Sequence, residues 1–159
     1  MKERIVQVRR IVHNDLAAAA ELERLCFSEP WSEKALELLL GEMGVGAVCT
    51  EDDRVVAYGG MLLAPYEGQI TNIATHPDHR RRGYVEAVTS ELLRIAFEKQ
   101  LEQVALEVRV SNEGAILLYE KLGFERAGVR RGFYRNPAED ALVMIKTFGK
   151  EREEDPVKA

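Results

Sequence analysis

The stretch "GQITNIATHPDHRRRGYVEAVTSELL" changes its period part-way, and that change constrains the fold more than any other feature of the chain. Up to Thr75 it reads as a β-strand, closed by Pro77. From Gly83 onward the apolar residues fall at helical spacing, with Val85, Val88, Leu92 and Ala96 on one face. The chain then repeats the move. "QVALEVRV" alternates as a strand, and "SNEGAILLYEKLGF" reads as a helix capped by Ser111 or Asn112, with Gly123 just past its end. Strands alternating with helices in this way call for a mixed α/β domain.

The flanks extend the pattern. "RIVQVRRIV" has the β-branched content of a first strand, and Asn14 is placed to cap the helix "DLAAAAELERLC". Pro30 breaks that helix, Ser32 caps a second one, "EKALELLL", and Gly41 ends it. "AVCTEDDRVVAYGGMLLA" reads as two strands joined by a tight turn at Asp52 and Asp53. "FERAGVRRGFYR" and "DALVMIKTF" read as a closing hairpin across "NPAE". The order is β-α-α-β-β-β-α-β-α-β-β, a mixed sheet of about seven strands with four helices.

At 159 residues, 46% hydrophobic and 31% charged, the chain suits one domain over 1–148, and the charged segment 149–159 is expected to fray. The formal net charge of −5 argues against broad nucleic-acid binding. Cys26 and Cys49 are isolated, without the spacing of a metal site, and suit a reducing compartment. With no apolar run near membrane-spanning length, the expectation is a soluble cytoplasmic protein with no metal, nucleic-acid or membrane partner.

Against that acidic background, "HRRRGY" stands out. Three adjacent arginines repel one another, and folding does not require them. They precede a helix whose first N–H groups are unpaired and carry a partial positive charge of about half a unit. Arg80, Arg81 and Arg82, with Gly83 admitting close backbone approach, therefore form a candidate anion site suited to a pyrophosphate. The segment is neither a Walker loop nor GxGxxG.

"NIATHPDHRRRGYVEAVTSELL" resembles motif A of the GNAT family of N-acetyltransferases, whose fingerprint is Arg/Gln-x-x-Gly-x-Gly/Ala. "LEVRVSNEGAILLYEKLGFE" resembles that family's second signature. With "PWSEKAL" and "EDALVM", the chain resembles the family's RimI branch from Asn14 to Phe148. Val85 stands where the fingerprint has Gly or Ala, and the helical stripe favours turning its side chain inward with Val88 and Leu92.

The resemblance implies the GNAT fold, acetyl-CoA as donor, and acetyl transfer to a protein N-terminus, an alanine of a small-subunit ribosomal protein. It implies that the backbone of Ile73, Ala74 and Thr75 holds the acetyl-pantetheine, and that Arg80 to Glu86, including Tyr84 and Val85, surround the pyrophosphate. Asn112 is implied at the pantetheine arm, although from the residues alone it is simply a cap. Glu107 reads alone as a solvent-facing strand glutamate, and Tyr119 as a core tyrosine on the stripe Ala115, Leu118, Tyr119, Leu122. The resemblance makes them general base and general acid. By analogy Trp31, Phe133 and Tyr134 enclose the acceptor; padding of the core is the alternative. Two other functions stay open at this point: acetylation of lysine or a small amine, and a non-catalytic acyl-CoA-binding module.

Overall fold

The structure is a computed structural model and describes residues 4–149. The segment expected to fray lies outside the described residues except for Gly149. Seven strands form one sheet in the order β1-β2-β3-β4-β5-β7-β6. They are β1 (Val6–Arg10), β2 (Gly44–Glu51), β3 (Arg54–Ala64), β4 (Glu67–Thr75), β5 (Gln103–Arg109), β6 (Glu125–Arg135) and β7 (Ala138–Thr147). The α-helices are α1 (Leu16–Cys26), α2 (Glu33–Leu36), α3 (Tyr84–Glu98) and α4 (Glu113–Lys121). The element order is the one expected.

The described residues fall into two compact units. The first takes those up to Leu63 together with Ile70–Arg94; the second takes Ala64–Gln69 together with those from Ile95 onward.

In the first unit, β2 pairs antiparallel with both β1 and β3 and is buried along its whole length. Asp52 and Asp53 close the β2–β3 hairpin with φ of 52° and 66°. A two-residue turn with both residues left-handed matches the strand twist, and aspartate tolerates it better than most residues. Leu16, Ala19, Ala20 and Leu22 of α1 pack with Leu36, Leu39, Val48 and Tyr58 in one core. Helix α3 lies so close to β3 that a Cβ on Gly59 would stand 2.7 Å from Val88 Cγ1.

Two local expectations need correction. Asn14 does not cap α1. It sits inside a 3-10 turn over His13–Asp15, and the Asp15 carboxylate takes the Val12 N–H at 2.8 Å and the Arg9 guanidinium at 2.7 and 2.9 Å. An aspartate that gains an arginine as well as the backbone outcompetes the neighbouring asparagine. The helix read over "EKALELLL" is α-helical only to Leu36 and tightens to 3-10 over Glu37–Leu40 before Gly41. Ser32 does cap it, accepting from Ala35 N at 3.1 Å.

In the second unit, β4 pairs in parallel with β5 over Glu67–Gln69, and β5, β7 and β6 continue antiparallel. Asn112 caps α4, accepting from Ala115 N at 3.2 Å, and Gly123 ends it with φ of 97°. The face α4 buries is led by Ile116 and Tyr119, with Ala115, Leu118 and Leu122 half-buried.

Candidate active site

In the first unit the site begins where β4 ends. Ile73 is half-buried, while Ala74 and Thr75 are buried. The Thr75 carbonyl accepts from the Cys26 thiol at 3.3 Å, and its hydroxyl has no hydrogen-bond partner among the described residues. The chain then passes through a 3-10 turn (Pro77–His79) and doubles back through Arg81 (φ 63°) and Gly83 (φ 79°) into α3. A Cβ at Gly83 would meet nothing within 4 Å, so glycine is needed there for its dihedral angle. The first bond of α3 runs from Ala87 N to Gly83 O at 3.1 Å, so the amides of Tyr84 and Val85 precede the intrahelical ladder.

The three arginines part company. All three are exposed, and Arg80 Nη2 reaches the Cys26 Sγ at 3.7 Å. Arg82 turns onto Glu51 at the end of β2, its Nη1 lying 2.8 and 3.0 Å from the two carboxylate oxygens. The Tyr84 hydroxyl donates to the same carboxylate at 2.5 Å, and His79 Nδ1 stands 3.3 Å away. The Tyr84 hydrogen bond, with Arg82 and His79, outweighs burial and pulls the Glu51 carboxyl down to about 2. Arg82 and Tyr84 thus direct their side chains to Glu51, a residue that the sequence reading did not single out. Val85 is half-buried, and Val88 and Leu92 are fully buried below it.

Also in the first unit, Glu23 is 0% exposed. Its carboxylate accepts from Trp31 N at 2.8 Å, from Asn72 Nδ2 at 3.0 and 3.1 Å, and from the Tyr58 hydroxyl. One side chain of α1 thus ties the half-buried Trp31 loop to the strand position just before Ile73. The sequence carried a signal for it, since Leu16, Ala19, Ala20 and Glu23 share the i, i+3, i+4, i+7 phase of a buried stripe.

In the second unit, Glu107 projects from β5 between buried Leu106 and Val108. It accepts from Gln69 Nε2 at 2.7 Å and has Arg130 Nε at 3.6 Å. Tyr119 is 8% exposed and meets Phe124 edge-on, ring centres 5.7 Å apart. Burial, then the neighbouring Tyr134, pushes its phenol up to about 12. Arg109 lies 4.2 Å above the Tyr134 ring and donates to the Pro137 and Asn136 carbonyls at 2.9 and 3.3 Å. Glu139 accepts from Ser111 N at 2.7 Å and pairs with Arg109 at 3.2 Å, and these contacts hold its carboxyl below the usual range. Phe133 is exposed and packs edge-on against Tyr134. Of the expected site residues, Glu107, Asn112, Tyr119, Phe133 and Tyr134 belong to this unit, and the others to the first.

The profile of the Acetyltransferase (GNAT) family matches residues 16–124. The chain belongs to the GNAT family. As a GNAT acetyltransferase it has full-length relatives of known name. It is 37% identical over 132 residues to the ribosomal protein bS18-alanine N-acetyltransferase of Salmonella typhimurium, covering 82% of this chain and 89% of that one. It is 31% identical over 153 residues to the N-alpha-acetyltransferase RimI of Mycobacterium tuberculosis, covering 91% and 94%. The crystal structure of the ribosomal-protein-S18-alanine N-acetyltransferase from Escherichia coli superposes with a TM-score of 0.82 at 32% identity, covering 90% and 94%. The mixed seven-stranded sheet is thus the GNAT fold, and the resemblance read in motif A and in "LYEKLGF" is borne out.

Proposed function

We propose that this GNAT acetyltransferase moves the acetyl group of acetyl-CoA onto the α-amine of a protein N-terminus, the acceptor being the N-terminal alanine of ribosomal protein bS18. The observation that carries the reading is the 37% identity with the Salmonella typhimurium enzyme of that activity across 89% of its length. The residues of the first unit suit the donor: exposed Arg80 and Arg81, the Tyr84 and Val85 amides that open α3, and a left-handed Gly83 together make a site for a pyrophosphate. Thr75 adds a buried hydroxyl still lacking a partner among the described residues. Acetyl-CoA supplies an activated thioester when bound there.

The second unit supplies proton transfer. Glu107, steadied by Gln69, takes a proton from the acceptor ammonium and passes it to solvent, leaving a neutral nitrogen to attack. An α-amine titrates near 7.7–8.0, so this demands little of a carboxylate. Tyr119 gives its phenolic proton to the sulfur as the carbon–sulfur bond breaks, and regains one from solvent. With its phenol at about 12, it holds that proton throughout the neutral range. Phe133 and Tyr134, packed edge-on within the second unit, bind the acceptor's first residues.

Mass spectrometry after incubation with acetyl-CoA tests the reading, using two peptides of one lysine-containing sequence that begin with alanine, one free and one blocked. The expected result is one acetyl group, on the α-amine of the free peptide alone. Modification of both peptides at lysine, or of neither, would overturn it.

A further inference from the structure

We propose that Glu51 is a positioning residue for the arginine turn: it withdraws Arg82 from the ligand and clamps the turn in the shape that receives the cofactor's phosphates. The inference rests on the reading that the turn holds acetyl-CoA.

The turn contains two left-handed residues, Arg81 and Gly83, with φ of 63° and 79°. Glycine adopts such a conformation freely, but arginine leaves it unless its neighbours are held. Three side chains that bracket these positions, those of His79, Arg82 and Tyr84, converge on the one carboxylate of Glu51, at 3.3, 2.8 and 2.5 Å. They fix the backbone two residues before Arg81, between Arg81 and Gly83, and immediately after Gly83.

Glu51 is itself anchored. It ends β2 opposite Arg54, on a strand that is buried throughout, and its side chain is only 10% exposed. Arg4 also approaches it, at 3.4 Å. The clamp therefore rests on the sheet.

Charge points the same way. Three consecutive arginines repel, and pairing Arg82 with Glu51 cancels one of the three charges internally. Arg80 and Arg81 stay exposed. The sequence thus uses two of its arginines for an anion and one for the fold. A ligand that meets an already shaped turn loses less freedom on binding than one that must order it.

The experiment is calorimetric titration of acetyl-CoA into wild type, Glu51→Gln, Arg82→Gln and the double variant, with turnover on acetyl-CoA and on S-acetyl-pantetheine, which lacks the phosphates. Glu51→Gln is expected to bind acetyl-CoA about tenfold more weakly, as expected for lost preorganisation. Its turnover with acetyl-pantetheine should match wild type, which a general loss of structure would not allow. The double variant should bind no more weakly than the weaker single one, because both changes remove the same contact. If Glu51→Gln does not fold, Tyr84→Phe removes one anchor of the clamp alone and should weaken acetyl-CoA binding in the same direction. Unchanged acetyl-CoA affinity in the folded variants, or independent losses that multiply in the double variant, would overturn the clamp and return Arg82 to the ligand. A wild-type protein that fails to bind acetyl-CoA at all would instead remove the reading beneath it.

Discussion

Tyr119 is placed by the same burial that tunes it. A tyrosine 8% exposed against Phe124 counts as core by any packing criterion, yet that burial raises its phenol to about 12. Packing and proton donation are therefore compatible at this position, and helical spacing alone could not separate them. Tyr119→Phe keeps the ring and removes only the proton. It is expected to lower kcat by about 10²-fold or more while leaving the Kd for acetyl-CoA near wild type. Glu107→Gln should behave alike, since an amide can still meet Gln69 but cannot take a proton. Steady-state kinetics beside calorimetry measures both, and undiminished kcat in either variant would remove that residue's assigned role. Glu23 shows the converse case: a carboxylate at a core phase, kept there by hydrogen bonds from Tyr58, Asn72 and Trp31. A buried charge without such donors would be costly.

Glycines separate space from dihedral angle when whole elements are considered. Gly83 has open space around the missing Cβ but a φ of 79°. Gly59 has no dihedral requirement of that kind. It is there because α3 crosses β3 too closely, with Val88 Cγ1 at 2.7 Å and Leu92 Cδ1 at 3.1 Å from a Cβ built on it. Gly59→Ala would otherwise stabilise a strand by about 0.4–1 kcal/mol through the unfolded chain. Here the clash wins, and a net loss of about 1–3 kcal/mol is expected in urea unfolding. Because α3 carries the arginine turn at its start, the same variant should also weaken acetyl-CoA binding. The capping of the elements was legible at Ser32, and at the start of α4 it was narrowed to Ser111 or Asn112, of which Asn112 is the cap. It failed at Asn14, where Arg9 from the preceding strand decides in favour of Asp15.

For the molecule as a whole, two carboxylates, Glu51 and Asp15, are expected to make part of its stability acid-labile. The folded-state value of Glu51 is lowered to about 2, and that of Asp15 is lowered too: burial would raise it, but Arg9 and the Val12 amide together prevail. A carboxylate whose folded value lies below its unfolded one stabilises the fold above the unfolded value, near 4. That contribution is lost as pH falls through the folded value. Unfolding followed by circular dichroism should thus show stability dropping between roughly pH 4.5 and 2, and Glu51→Gln should flatten part of that drop. An identical acid profile in the variant would show that Glu51 does not contribute. No described helix is long and apolar enough to cross a membrane. By itself the sequence determined the element order, the strand–turn–helix at the arginines, the family, and the alternation that sets Glu107 apart from Leu106 and Val108. All of these depend on local period and on motifs read along the chain. The tertiary structure alone decided which arginine is tied to Glu51, which carboxylate is buried with Tyr58, and why Gly59 must lack a side chain. Those contacts join residues far apart in the chain, such as Arg82 and Glu51 at a separation of 31, and no local pattern encodes a partner at that distance.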